Sequence, residues 1–395
     1  MHEPLAPYLP PHRYQVTEAS ARALREGHPW VFRGKLSSAA KALSIPSLVR
    51  VVDGENRFVG LAVHEPLGPV GLRVISALTD PPTFEQLLTG LTKALSASGT
   101  APGRRVLNGE ADGFPGLCLD LYASCAVWQP YLAFWTPLLP ALDAQLRATA
   151  TITSSVFKPG RSSNPTAGDL PAEPVVFEEA GTLFHSYPLS GQKTGFYLDL
   201  LGVRAQLPSL CKGLRVLNAF AGNGSLSVVA RRGGAERVTS VEVSPLAAER
   251  ARVLYRANGL MLAEEDWLQG DAWALLPRLV PGYDLVILDP PQLCSKREGI
   301  PAALAAWKKL LAATASLLSP GGLVLAISCT GLVNPHLGPR FFADRLGSVE
   351  LVRSGGLPPD HRTSPNFPEG DYLRWWLLKV GARRSTPREA GERGH

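Results

Sequence analysis

The chain has 395 residues, 45% of them hydrophobic, enough for two or three domains with packed cores and too apolar for a broadly disordered protein. Its 40 basic and 34 acidic residues leave a formal charge of +6, which permits nucleic-acid binding without demonstrating it. No apolar run is long enough to span a bilayer, and Met1-His2-Glu3-Pro4 lacks the order of a signal peptide. Five scattered cysteines, Cys118, Cys125, Cys211, Cys294 and Cys329, lack metal-ligand spacing. An odd count without an export signal predicts free thiols, a cytoplasmic location and no metal site.

Residues 1–80 read as a small β-rich domain. A short helix over 19–26 ends at Gly27, and strands over 49–53 and 58–63 flank a turn at Gly54-Glu55-Asn56. Pro81-Pro82 marks a boundary. Residues 81–200 read as a mixed α+β domain, with helices over 83–98 and 134–150. Its strands are expected near 117–122, 126–129, 155–158 and 175–178, with a Pro-rich loop over 160–174. Residues 201–380 alternate apolar strands with helical segments, the pattern of a doubly wound, mainly parallel α/β sheet. Strands over 348–352 and 372–378 have no helix-length pattern between them, so they should pair antiparallel at the sheet edge. The tail, 381–395, is rich in Arg, Gly and Pro and reads as disordered.

The chemistry concentrates at strand ends of this last domain. Arg215-Val216-Leu217-Asn218-Ala219-Phe220 is its first strand, and Ala221-Gly222-Asn223-Gly224-Ser225 is a loop whose glycines let a ligand approach a helix N-terminus. Ser227 stands where a dinucleotide fingerprint has its third glycine, which argues against an NAD oxidoreductase. Glu242 follows Gly222 by about twenty residues, the place of an acid that accepts ribose hydroxyls. Asp271, after Gly270, can accept an adenine amino group or cap a helix. Asp289-Pro290-Pro291 ends the apolar run Leu285-Val286-Ile287-Leu288, and the prolines fix a carboxylate at the ligand-binding edge. Ser328-Cys329-Thr330 ends the next run. A carboxylate and a thiol at one sheet edge point to covalent chemistry on a planar substrate.

In this order, the loop, ribose acid, third-strand Asp and Asp-Pro-Pro resemble a class I S-adenosylmethionine-dependent methyltransferase. Further segments resemble the PUA-domain-fused ribosomal RNA methyltransferases that modify C5 of cytosine in 23S rRNA. These are Gly27-His28-Pro29-Trp30-Val31-Phe32, the stretch from Asn108 to Leu117, Gly191-Gln192-Lys193-Thr194-Gly195-Phe196-Tyr197-Leu198-Asp199, and Phe367-Pro368-Glu369-Gly370-Asp371-Tyr372-Leu373. The resemblance implies a PUA-like RNA-binding domain, a central domain and a Rossmann-like catalytic domain. It implies S-adenosylmethionine as cofactor, held by Asn218, Phe220, Gly222, Asn223, Gly224, Glu242, Ser244, Asp271 and Asp289, with Phe196 and Asp199 as candidates for its methionine end. Where the family continues with Gln-Arg and a later Asn-Arg, this chain has Leu200-Leu201-Gly202-Val203-Arg204, and only Arg204 survives.

The resemblance also implies roles for the two central groups. C5 of cytosine is too weak a nucleophile to take a methyl unaided, and a thiolate added at C6 activates it. Cys329 is the expected nucleophile. Asp289 would orient and polarise the base. Cys294, separated from the prolines by Gln292-Leu293, reads as packing. Gln292 occupies the place where amino-group methyltransferases carry a stacking aromatic, so an rRNA guanine-N2 methyltransferase is the weaker reading. A non-catalytic RNA-binding assembly factor is the other rival. The expected partner is large-subunit ribosomal RNA, with no membrane; a homodimer stays open. Arg13, Arg22, Arg25, Arg33, Lys35 and Arg73 are candidate phosphate contacts, and Trp30 reads as core.

Overall fold

The computed structural model describes residues 12–36, 47–158, 166–167 and 170–381. The tail beyond residue 381, and the loop expected over 160–174 except for 166–167 and 170–174, lie outside them. The chain divides into two units: residues up to Leu200 with Pro358–Asp371, and Leu201–Leu357 with the chain from Tyr372 onward.

The first unit holds two five-stranded sheets and a hairpin. Strands β1 (His12–Gln15), β2 (Trp30–Phe32), β3 (Ser47–Val52), β4 (Phe58–His64) and β5 (Val70–Ser76) form the first sheet, in the order β1-β3-β4-β5-β2. Strand alternation sends Tyr14, Val16, Val49, Val51, Ala62 and Leu72 to one face, against Ala21 and Leu24 of the helix Glu18–Arg25. That helix opens on Thr17, whose side chain accepts from Ser20 N, and is followed by Gly27 at φ +91°.

The second sheet runs β10-β9-β8-β7-β6, from β6 (Gly103–Asn108), β7 (Leu117–Tyr122), β8 (Cys125–Pro130), β9 (Ser154–Phe157) and β10 (Thr166–Ala167). Its central strands β7 and β8 are buried on both faces. The helix Phe84–Ala97, opened by a Thr83/Gln86 capping box, contributes Leu87 and Leu91 to their core. The helix expected over 134–150 is split into a 3-10 segment, Ala133–Leu138, and an α-helix, Leu139–Thr149. Pro137 has no N–H for an α-helical ladder, which accounts for the break. Strands β11 (Val175–Glu179) and β12 (Thr182–Ser186) make the hairpin.

The second unit carries one seven-stranded sheet, β15-β14-β13-β16-β17-β19-β18. Its strands are β13 (Arg215–Ala219), β14 (Arg237–Glu242), β15 (Trp267–Gln269), β16 (Tyr283–Leu288), β17 (Leu318–Ser328), β18 (Val349–Gly355) and β19 (Arg374–Val380). From β15 to β17 neighbours pair in parallel, while β19 is antiparallel to both β17 and β18. The expected antiparallel pair is therefore at the sheet edge. The chain between its two strands, Pro358–Asp371, belongs to the first unit. Leu217, Val286, Leu288, Val324 and Ala326 pack on Trp307 and Leu311 of the helix Ile300–Leu317. No helix among the described residues is long and apolar enough to cross a membrane.

Candidate active site

Strand register builds the site. Ala219 is level with Val241 and Leu288, Leu288 with Ala326, and Glu242 with Gln269. The chain therefore leaves β13 to β17 at one carboxyl edge, where open α/β sheets take their ligands. Glu242 ends β14, and Phe220 to Gly224, Val243-Ser244, Gly270-Asp271, Asp289 and Cys329 follow strands at that edge.

The loop after β13 is tightly wound. Phe220 has φ +62°, a left-handed conformation costing a non-glycine residue about 1–2 kcal/mol. Its ring meets Trp273 edge-on at 5.7 Å. Gly222 has φ +52°, with nothing within 4 Å of where a Cβ would stand, so open space lies over the backbone. Gly224, at φ +80°, precedes the helix Ser225–Arg232. There a Cβ would lie 3.2 Å from the Cβ of Ala251. Asn223 is half-buried on this loop. Asn218 is fully buried beneath it, donating from Nδ2 to Ser227 Oγ at 2.9 Å, and Ser227 shares a bond of 2.8 Å with Ser240. The serine in the third-glycine position thus ties helix to strands.

Glu242 is held by backbone. Gly222 N donates to Oε2 and Ser244 N to Oε1, each at 2.9 Å. Two N–H donors use about half of a carboxylate's four lone-pair sites, leaving each oxygen with further capacity to accept. The Ser244 hydroxyl caps the helix Pro245–Ala257, accepting from Ala247 N. Between them Val243 is 64% exposed, an apolar side chain the sequence reading passed over. Its signal in the sequence was an apolar residue directly after Glu242. Asp271 is exposed, and its Oδ1 accepts from Trp273 N at 3.0 Å, so the helix-cap alternative is realised.

Asp289 is half-buried at the end of β16. Cys329 is half-buried after β17, its thiol 4.0 Å from the Pro290 carbonyl oxygen. Leu293 N donates to Thr330 Oγ1 at 3.1 Å, so the chain after the prolines is tied to the residue after the thiol. Cys294 packs against the hydrophobic core, and burial pushes its thiol pKa up, which disfavours a thiolate there.

Phe196 and Asp199 fall in the first unit. The Phe196 ring packs on Phe177 and Phe184, with centroids at 5.1 and 5.2 Å. Asp199 Oδ2 accepts from Lys193 Nζ at 2.7 Å. Of the candidate phosphate contacts, three are engaged within this unit. Arg25 pairs with Asp53, Arg33 donates to the carbonyls of Glu65 and Gly68, and Arg73 pairs with Glu110. Trp30, read as core in the sequence, is only half-buried; it donates to Glu110 Oε1 and packs on Phe367 at 4.6 Å.

The strand order, the glycine loop and the backbone-held carboxylate of Glu242 fit the fold of a class I methyltransferase. The S-adenosylmethionine-dependent methyltransferase model matches residues 147–369 and a PUA-like domain model matches residues 15–77. A Deinococcus radiodurans ribosomal RNA large subunit methyltransferase is 33% identical, over 93% of this chain and 97% of the relative. Ribosomal RNA large subunit methyltransferase I of Photobacterium profundum is 29% identical, over 92% and 98%. A protein described as a SAM-dependent methyltransferase, from Streptococcus mutans, shares the fold at TM-score 0.80 and 20% identity, over 93% of this chain and all of that one. The chain belongs to the S-adenosylmethionine-dependent methyltransferases, in the branch that joins a PUA-like domain to the catalytic fold. Its cofactor is S-adenosylmethionine.

Proposed function

We propose that the protein methylates C5 of a cytosine in large-subunit ribosomal RNA through a covalent adduct on Cys329. The ribosomal substrate rests on the two relatives named above. The cytosine assignment rests on one observation: the thiol lies beside the Asp-Pro-Pro turn, 4.0 Å from the Pro290 carbonyl oxygen. A methyltransferase acting on an exocyclic amine has no use for a thiol there.

Glu242 would take the ribose hydroxyls on its remaining lone pairs, and the open backbone at Gly222 would pass under the cofactor. Val243 would give the adenine ring an apolar wall, and Asp271 its amino-group acceptor. Bound there, S-adenosylmethionine supplies an electrophilic methyl group on its sulfonium. The target base must first leave its stack. The Cys329 thiolate then adds to C6, and the electron pair of the C5–C6 double bond becomes available at C5. Asp289 would accept a hydrogen bond from the N4 amino group and pass a proton to N3, which neutralises the negative charge that thiolate addition puts on the ring. Once C5 carries the methyl group, a base removes the C5 proton, and the electron pair left behind reforms the double bond and expels the thiolate.

Ribosomal RNA fragments carrying 5-fluorocytidine test the adduct, because fluorine cannot leave as a proton does. With S-adenosylmethionine present, the wild-type protein should form a complex that survives denaturing electrophoresis, and Cys329→Ala should form none. A Cys329→Ala variant that still methylates RNA would reject the mechanism and favour guanine-N2 transfer.

A further inference from the structure

Parallel pairing sets Arg13 of β1 directly opposite Arg50 of β3. Paired residues of neighbouring strands project from the same face, about 4.8 Å apart. The opposite face is the core face, occupied by Tyr14, Val49 and Val51. Like charges placed so repel each other. Nearly every other described arginine of this sheet and its helix is tied down: Arg25 and Arg57 on Asp53, Arg33 on carbonyls, Arg73 on Glu110. Among the described residues, Arg13 and Arg50 have no carboxylate partner. Arg13 is exposed, and the half-buried Arg50 holds its guanidinium 4.6 Å over the Phe58 ring of β4. That stacking fixes the plane of the fork and directs its donors.

Resting on the ribosomal RNA reading above, we infer that Arg13, Arg50 and Phe58 form an RNA-backbone clasp at the β1 edge of the first sheet, on the face turned away from Tyr14 and Val49. Two guanidiniums on adjacent strands match the phosphate oxygens of one backbone segment, each able to donate two hydrogen bonds. The anion they embrace also relieves their mutual repulsion. The aromatic ring beneath Arg50 gives the clasp a preset orientation and a neighbouring surface for an unstacked base.

The test uses the full-length protein and a fluorescent large-subunit rRNA fragment, with affinity measured across a salt series. Each phosphate contact contributes about 0.7–0.9 to the slope of log affinity against log salt, so R13A/R50A should flatten it by about 1.5–2. Binding at low salt should weaken by roughly tenfold or more. R13K/R50K should keep the wild-type slope. The melting temperature should hold or rise, because a repulsive pair has gone; a purely structural role predicts a fall. If the double alanine variant unfolds, the single variants R13Q and R50Q, each losing about half the slope change, take its place. Wild-type slope and affinity in these variants would overturn the clasp alone. A wild-type protein that binds no ribosomal RNA fragment would overturn the substrate reading with it.

Discussion

Glu242 and Asp120 are both carboxylates held by hydrogen-bond donors, two on Glu242 and three on Asp120, yet their surroundings suit them to opposite tasks. Glu242 stands at the open end of β14 and accepts two backbone N–H groups. Asp120 lies fully buried in β7, where the Arg105 guanidinium grips both its oxygens at 2.8 and 2.9 Å and Thr194 donates to one of them. Tyr122 extends that network through Thr194, and the backbone N–H of Arg105 donates to Asp360 of the returning segment. Asp120 ties three stretches of the first unit together. Glu242, half-buried with lone pairs to spare, is arranged to receive something from outside. The difference is one of exposure and remaining hydrogen-bond capacity, since the residue chemistry is the same.

Substitutions can break or sharpen this contrast. The largest effect on turnover is expected from Cys329→Ala at the open edge. Methyl transfer to cytosine should fall by at least about a thousandfold, with cofactor affinity by calorimetry unchanged. Asp120→Asn should leave the Arg105 charge buried without its partner and cost about 3–5 kcal/mol of stability, read by denaturant unfolding. Glu242→Gln should behave the other way, weakening S-adenosylmethionine binding by about ten- to a hundredfold with little change in the ligand-free melting temperature. Should Glu242→Gln unfold the protein and spare the affinity, the contrast would be wrong.

A smaller effect concerns pH. Burial pushes the His361 imidazole below 6.5, and the Arg105 charge adds to this against the pull of Asp360. Below 6.5 the unfolded chain takes up a proton that the folded unit resists. The stability held by neutral His361 is therefore whole above about 6.5 and is lost as pH falls toward the lowered folded value. Burial lowers His185 as well, which acts in the same sense. Melting temperatures measured from about pH 7.5 down to 5.5 should fall, and His361→Gln should make that fall shallower.

The second unit was the more legible in sequence. Its strands are buried apolar runs followed by Gly, Asp or Pro, and parallel pairing brings those punctuation residues to one edge. Hence Asp289 and Cys329, forty positions apart, could be placed together from pattern alone. The first unit was harder to read. Strand β6 carries Arg105 amid its apolar residues, and Asp120 of the neighbouring strand satisfies it. No local signal shows that Asp120 waits for Arg105, or that Pro358–Asp371 returns to the first unit. The basic residues show the same limit. Arg33 and Arg73 look like free surface charge in sequence but are tied to carbonyls and a carboxylate of their own unit, while Arg50, set within an apolar strand, carries no such sign and is placed beside Arg13 only by strand register.

Mass spectrometry of nucleosides from large-subunit ribosomal RNA, incubated with S-adenosylmethionine and either wild-type protein or Cys329→Ala, tests the central claim most directly. The account predicts 5-methylcytidine from the wild type and none from the variant. A methyl group on guanine, or 5-methylcytidine made equally well without the thiol, would contradict it.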